Sequence, residues 1–465
     1  MTRETSETSS SSAPASGSHS RESGLFRRVP TGLFWVAFGA YLLVRLMLLH
    51  ADGYASDLHL YKHWALASGL MGFANVYEST GADYPPASVA ALWAAGKAFV
   101  ASQPPFAAGD IPIQIIPNWV IKLPHLVFDL LLGWLLHYLV SRRGLWGAGR
   151  RGPGWGRLAA LFYWWNPAVL FGSAYWGQFD SMHAFLACAA VAALGADRLI
   201  VSAASLSLAG LSKPLAGPLL PVLVVTAALR HGVRGVVQAG LSGGLMAILV
   251  FAPFWATGRG MAVLDRVILD LDAMPYMSVN GHNLWWWLGG WRSADAPWLG
   301  PITPTEIGLL CFLTMTGWLL VRNAAWLRRT QGPEYAAGLF VISAAIISTF
   351  FFFWTHMHEN HLFLVVPLLI AVAGRNPRLG ALAAVASVCV FMNEILHDPE
   401  IPMLLPGWLS ASSGTIDPHM QRPYTWLQLW GSMLNPALAA LVFVGTMIEA
   451  LRLGRSDRSA SAADA

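Results

Sequence analysis

The residues best suited to chemistry lie in polar segments between long apolar runs. The first such segment contains Asp57, Tyr61 and Trp64, whose spacing places all three side chains on one face of a helix. A carboxylate held beside a polar substrate can act as a general base that accepts a hydroxyl proton during attack. Asp57 is therefore a candidate catalytic base. The alternative is a solvated surface acid in the first turn of a helix.

Two further polar segments contain groups that could contact a polar substrate. Asp83 and Tyr84 precede the pair Pro85-Pro86, a run that either contributes to a site or caps and stiffens the next helix. Gln178 and Asp180 lie between two apolar runs. Amides and carboxylates supply the donors and acceptors that sugar hydroxyls require, and the alternative interpretation is a polar turn between two helices.

Isolated charges inside apolar runs form a second class of candidates. Lys213 ends such a run, and a charge at membrane depth is a functional-site hypothesis by default. Its ammonium could bind a phosphate, or could reach lipid headgroups by snorkelling. Arg45 is open to the same two interpretations. For Lys122 and Asp129 we predict a structural ion pair within one helix.

A late cluster contains three histidines and Glu359, in the order His356-Met-His358-Glu359-Asn-His361. The cluster lacks the i, i+4 histidine pair of zinc-binding helices, so we expect no metal here. Hydrogen bonding from histidine, His358 above all, to a phosphate is one interpretation, and a wet turn at the membrane interface is the other.

Composition indicates which elements must position these residues. Of the 465 residues, 55% are hydrophobic and 12% are charged, and the mean hydropathy is +0.50. Soluble proteins are about 25% charged, so this composition excludes a large soluble enzyme, a nucleic-acid-binding protein and a disordered scaffold. The three cysteines lie in apolar runs, which predicts neither a disulfide framework nor a thiolate metal site.

The apolar runs predict an all-α, polytopic membrane protein with about twelve transmembrane helices, because each run is close to the length that crosses about 30 Å of hydrocarbon. Residues 1–30 are expected to be a disordered cytoplasmic tail, 31–452 the transmembrane domain, and 453–465 a cytoplasmic tail. The predicted spans are 33–50, 118–141, 158–175, 181–196, 199–211, 214–229, 235–255, 305–321, 335–354, 360–373, 379–395 and 428–451.

The distribution of arginine sets the predicted orientation. If residues 85–101 lie in the membrane interface, most arginines outside the apolar runs fall on the cytoplasmic side, as the positive-inside rule requires. The outer side then carries large loops at 51–116, 256–304 and 396–427, with interfacial helices in the first. Only four of the 29 basic residues are lysine, and Ala and Gly are abundant, which suggests the GC-rich genome of a bacterium. The predicted location is therefore the bacterial plasma membrane.

The order of these motifs resembles the GT-C class of polytopic glycosyltransferases, particularly the glucosyltransferases that use dolichyl-phosphate glucose, and their bacterial relatives. The resemblance rests on motifs between about residues 40 and 375. They are Asp57 with Lys62-His63-Trp64, Asp83-Tyr84-Pro85-Pro86, Lys213, and His358-Glu359. Gly177-Gln178-Phe179-Asp180 only approximates the family's turn, and the C-terminal region shows no match.

The resemblance implies transfer of a hexose from a polyprenyl-phosphate sugar to a lipid-linked glycan, polysaccharide or other acceptor at the outer membrane face, with inversion. Asp57 would be the general base, and Lys213, His358 and Arg45 would stabilise the leaving phosphate. The resemblance implies no cofactor, metal or nucleic-acid partner. Two other classes remain: a secondary transporter, and a non-catalytic membrane subunit of a glycan assembly system.

Overall fold

The computed structural model describes residues 28–103, 113–269, 274–398, 407–416 and 423–463, with side chains through residue 455. Most of these residues are helical, and the only strands among them are four short ones. The predicted N-terminal tail lies almost entirely outside the described residues. The last helix continues to Ala463, into the residues predicted to form the C-terminal tail.

Seventeen α-helices follow one another along the described chain. Those of the first third are α1 (Thr31–Leu49), α2 (Ala55–Met71), α3 (Val76–Thr80), α4 (Pro86–Ala101) and α5 (Asn118–Ser141). The middle third contains α6 (Pro153–Trp164), α7 (Asp180–Gly195), α8 (Leu199–Gly210), α9 (Leu220–Ala256), α10 (Gly260–Leu264) and α11 (Leu284–Leu288). The last third contains α12 (Pro304–Arg329), α13 (Gly332–Phe353), α14 (Val365–Ile370), α15 (Pro377–His397), α16 (Gly407–Ser410) and α17 (Trp426–Ala463).

Irregular helical segments and short strands join these helices. Val169–Trp176 and Asp265–Leu269 are π-helical, and Phe73–Asn75, Ile113–Ile115, Ala148–Arg150 and Pro214–Leu219 are 3₁₀-helical. Strand β1 (Ser278–Val279) pairs in parallel with β2 (Met357–His358), with Ser278 opposite Met357. Strand β3 (Ser412–Ile416) pairs antiparallel with β4 (Pro423–Thr425).

Seven helical segments of the described chain are long and apolar enough to cross a membrane, as expected of a multi-pass membrane protein. Three shorter apolar helices are α4, α7 and α8. The seven long segments are Thr31–Leu49, Asn118–Ser141, Pro214–Ala256, Pro304–Arg329, Gly332–Phe353, Pro377–His397 and Trp426–Arg455.

Several predicted spans differ in detail from the helices that form. The predicted span 158–175 is interrupted after Trp164, because Asn166-Pro167 ends α6 and a π-helical segment follows. Residues 360–373 are buried but mostly turns, with only α14 helical. The spans 214–229 and 235–255 join into one helical segment whose backbone breaks at Gly232, where φ is 61°.

Helix α13 lies at the centre of the bundle, since 89% of its most apolar stretch is buried within the protein.

Helices α2 and α4 pack against each other at a close crossing. A Cβ atom at Gly96 would overlap the carbonyl oxygen of Ala65, so only glycine allows this approach. The crossing fixes α2, and with it Asp57, relative to the rest of the bundle.

Candidate active site

Most of the candidate residues predicted from the sequence line one cavity of about 850 Å³. The cavity lies between the start of α2, the turn after the π-helical segment Val169–Trp176, the turn before residue 214, and the cavity-facing ends of α13 and α15. The candidates that line it are Asp57, Trp64, Asp83, Tyr84, Gln178, Lys213, His358 and Glu359. Residues from distant parts of the sequence therefore share one chamber, whose wall is partly polar and partly apolar.

Asp57 lies in the first turn of α2, and only one of its two carboxylate oxygens accepts hydrogen bonds from the described residues. Its Oδ2 accepts hydrogen bonds from Trp176 Nε1 at 3.0 Å and from Gln178 Nε2 at 2.5 Å. Its Oδ1 accepts none from the residues that the structure describes. Two hydrogen bonds thus fix the direction of the carboxylate while one oxygen stays available to a ligand in the cavity.

Gln178 also links Asp57 to a pair of tyrosines. The hydroxyls of Tyr61 and Tyr84 lie 3.0 Å apart, and each donates to Gln178 Oε1, at 3.4 and 3.2 Å. Tyr77 in turn donates to the Tyr84 carbonyl oxygen at 2.7 Å. Because the amide oxygen of Gln178 binds the tyrosines, its nitrogen must face Asp57, which defines the orientation of the amide.

Lys213 brings a buried positive charge to the cavity wall. Its ammonium lies 2.7 Å from Asp180 Oδ1, and both side chains are almost fully buried. Asp180 does not line the cavity itself but stands behind Lys213. Asp180 thus compensates the positive charge of Lys213. An anionic ligand must compete with that carboxylate for the ammonium.

Another part of the cavity wall is formed by the segment that contains the predicted histidine cluster. Strand β2 carries His358, and its pairing with β1 attaches this segment to the one that precedes α11. His356 has a positive φ of 60°, a conformation that is uncommon for residues other than glycine and occurs often at functional sites. His356, His358, Glu359 and His361 all line the cavity.

Two carboxyl groups of the site have pKa values near neutrality. Burial raises the pKa of Asp57 to about 6, with smaller contributions from the negative charges of Asp83 and Asp180, while the Trp176 hydrogen bond and Lys213 lower it. Burial likewise raises the pKa of Glu359 to about 7. A pKa near 6 leaves Asp57 mostly ionised at pH 7 yet basic enough to accept a proton.

Besides Asp180, three predicted site residues do not line the cavity. Lys62 and His63 are on α2 with Asp57 but do not line the cavity. Arg45 is fully buried in α1 and binds Asp129 Oδ2 at 2.8 Å, away from the cavity. The predicted pair between Lys122 and Asp129 is therefore wrong, since Asp129 is already bound by Arg45.

Lys122 is instead held by backbone oxygens. Its ammonium donates to the carbonyls of Leu48, Ala51 and Tyr175 at 3.2, 2.8 and 2.6 Å. These contacts join α5 to the end of α1 and to the end of the π-helical segment, which leads into the turn that carries Gln178. Lys122 thus supports the site without facing it.

Some cavity residues carried no clear signal in the sequence. Trp176, which binds Asp57, is one of 22 tryptophans, and only its place just before Gly177-Gln178 distinguishes it. Arg266 and His397 also line the cavity. Arg266 could have been found as an arginine on the predicted outer side, against the general distribution of arginine.

The arrangement combines a carboxylate base, a buried ammonium, several imidazoles and aromatic walls. Such a chamber can take up a proton from a hydroxyl and stabilise negative charge on a leaving group. Within the described residues, no three His, Cys, Asp or Glu side chains are placed to share a metal ion. No protein-family model matches the chain, and no curated protein is significantly similar to it.

Proposed function

We propose that this chain is a membrane glycosyltransferase. In this proposal it moves a hexose from a polyprenyl-phosphate sugar to a hydroxyl of a lipid-linked glycan, polysaccharide or other acceptor. The observation that carries the proposal is the meeting of Asp57, Lys213 and His358 at one cavity, although they are far apart in the sequence. These are three of the four groups that the resemblance assigns to the base and to the leaving phosphate.

The proposed reaction is a single displacement at the anomeric carbon of the sugar. The acceptor oxygen forms the new bond to this carbon as its proton passes to Asp57, and the bond from the carbon to the phosphate oxygen breaks with its electron pair. The configuration inverts because attack and departure occur on opposite faces. The products are the glycosylated acceptor, protonated Asp57 and polyprenyl phosphate.

The leaving phosphate gains negative charge, so it requires cations and hydrogen-bond donors rather than an acid. Lys213, His358 and Arg266 line the cavity and are the groups we assign to this role. Arg45, which the resemblance assigned to the same role, is replaced by Arg266, because Arg45 is bound to Asp129 outside the cavity.

Part of the cavity wall is apolar and suits the start of a polyprenyl chain. Pro214 and Leu215 lie next to Lys213, and Phe350 and Trp354 stand at the end of α13. An isoprenoid tail along these side chains would extend toward lipid while its phosphate stays beside Lys213. The proposal includes about twelve membrane crossings, a bacterial plasma membrane and a cavity on its outer face.

The test is sugar transfer by the purified protein in detergent. We expect the wild type to transfer hexose from a synthetic polyprenyl-phosphate hexose and not from a nucleotide hexose, with product detected by mass spectrometry. Candidate acceptors come from lipid-linked glycans of a strain that lacks the protein. Transfer from the nucleotide sugar would contradict the donor assignment, and uptake of sugar into proteoliposomes without transfer would favour a transporter.

A further inference from the structure

Glu394 is a buried carboxyl group that the proposed reaction does not use. It lies on α15 with 0% of its surface exposed, and neither carboxyl oxygen has a hydrogen-bond partner in the described part of the chain. An ionised carboxylate in such surroundings is very costly, because nothing replaces its hydration. Ionisable groups inside membrane helices are retained mainly where they serve function.

Glu394 does not line the cavity but packs against the π-helical segment next to it. A Cβ atom built on Gly172 would lie 2.5 Å from Glu394 Oε1, so glycine at 172 makes room for the carboxyl. The Gly172 carbonyl accepts hydrogen bonds from Gly177 and Gln178, at 3.1 and 2.9 Å. Glu394 therefore packs against the turn that presents Gln178 to Asp57.

Three charged groups of the site act on Glu394 electrostatically. They are Asp180, Glu359 and Lys213. Three carboxyl groups, those of Asp180, Glu359 and Glu394, thus lie near a single ammonium, that of Lys213, which is bound to Asp180. One cation cannot compensate three buried carboxylates, so these carboxyl groups must hold protons.

The excess of carboxyl groups over ammonium groups explains how Lys213 could leave Asp180, a step that the proposed function requires. When a phosphate attracts the ammonium, Asp180 loses its partner and becomes a buried, uncompensated carboxylate. A neutral carboxyl close by can share its proton with such a carboxylate, as paired acids do in other proteins.

We propose that Glu394 is a positioning residue that carries a proton in the ligand-free protein and shares it with Asp180 when Lys213 turns to the phosphate of the donor. No proton is gained or lost in this step: the Glu394 hydroxyl becomes the donor and an Asp180 oxygen the acceptor. The inference rests on the proposed function, because it requires Lys213 to bind a lipid phosphate.

One measurement addresses the resting protein. Infrared difference spectroscopy of the wild type against Glu394→Gln should show loss of a protonated-carboxyl stretch in the variant, with Cys389→Ala on the same helix as a control. The same band should shift when polyprenyl phosphate is added to the wild type. Identical spectra for the wild type and Glu394→Gln would overturn the proposal.

A second measurement addresses binding, with polyprenyl phosphate titrated into detergent-solubilised full-length protein. Glu394→Leu should weaken binding by about tenfold or more, since a hydrogen bond to a charged partner is lost, whereas Glu394→Gln, which keeps an N–H donor, should stay within about threefold. Wild-type affinity should also fall at alkaline pH, where the shared proton is lost, while that of Glu394→Gln should not.

The outcomes separate the two proposals. If the wild type binds polyprenyl phosphate and Glu394→Leu binds equally well, the role of Glu394 is wrong and the proposed function survives. If the wild type does not bind polyprenyl phosphate at all, the proposed function fails and this inference fails with it. A folded Glu394→Gln variant with wild-type affinity and no alkaline loss supports both.

Discussion

Two buried charged clusters of this protein differ in how completely their polar atoms are satisfied. Arg45 and Asp129 form one, joined at 2.8 Å, and Tyr163 donates to the other oxygen of Asp129 at 2.8 Å. Ser173 donates to Asp129 as well, and the Trp164 indole binds its backbone carbonyl. Asp57, by contrast, has one carboxylate oxygen bound and the other without a partner among the described residues.

The difference teaches that burial of a charge alone does not identify a catalytic residue. Both oxygens of the Asp129 carboxylate are bound by protein groups, and neither Arg45 nor Asp129 lines the cavity, so this cluster joins α1, α5 and the π-helical segment and does not face a substrate. The cavity cluster, with Asp57 and Lys213 at its wall, borders open volume, and one oxygen of Asp57 has no partner among the described residues. The first cluster should therefore govern stability, and the second should govern activity.

The largest effect is expected at Asp57. Replacement Asp57→Asn keeps the shape of the side chain but removes the base, so the transfer rate should fall by about 10² to 10⁴. The matched control is Asp52→Asn, an exposed acid near the start of α2 that binds Asn118 outside the cavity. Both variants are compared with the wild type by their initial rates of hexose transfer. An Asp57→Asn variant with wild-type activity would show that the cavity cluster does not govern activity through Asp57.

Breaking the other cluster should affect stability instead. Arg45→Met leaves Asp129 buried without its cation, which should lower the free energy of unfolding by about 3 to 5 kcal/mol. Arg259→Gln is the control, because it breaks an exposed ion pair with Glu78 and should cost less than about 1 kcal/mol. Chemical denaturation in detergent gives both values, and equal losses would show that the two pairs do not differ.

Lys213 should govern binding of the donor. Lys213→Gln removes a charge-assisted contact to the phosphate, so the KM for the polyprenyl-phosphate sugar should rise by about 10- to 100-fold. The control is Lys97→Gln, an exposed lysine of α4 outside the cavity. An unchanged KM in a folded Lys213→Gln variant would exclude the phosphate contact.

The smallest effect concerns pH. Asp57 must be ionised to accept a proton, so transfer should decline as pH falls through about 6, the pKa to which burial raises it. The charge of Asp83 contributes to this increase, so Asp83→Asn should move the acidic limb to lower pH, by less than about one unit. A pH–rate profile of each variant tests this, and a shift toward higher pH would contradict the assignment.

Some of this could be predicted from the sequence, because it depends on local spacing. Asp57, Tyr61 and Trp64 do lie on one helix, and Tyr61 and Trp64 are buried as an amphipathic pattern requires. Seven helical segments of the described chain are likewise long and apolar enough to cross a membrane, as expected of a multi-pass membrane protein. Both features need only nearby residues and the length of a run.

The partners of buried charges could not be predicted, because they depend on how distant segments pack. Lys122 and Asp129 share α5, yet each finds a partner on other segments: Arg45 on α1 binds Asp129, and Lys122 binds backbone carbonyls. Glu394 lies inside the predicted span 379–395, but the sequence does not show that its carboxyl oxygens lack partners among the described residues. The pairing of β1 with β2, which places His358 on the cavity wall, links residues about eighty positions apart.

The most direct test measures transfer and unfolding together on Asp57→Asn and Asp129→Asn, with rates expressed per folded molecule. The account predicts opposite results: Asp57→Asn unfolds like the wild type and transfers about 10² to 10⁴ times more slowly, while Asp129→Asn unfolds more easily and transfers at the wild-type rate. If folded Asp129→Asn loses transfer as severely as Asp57→Asn, or if Asp57→Asn transfers normally, the assignment of the active site is contradicted.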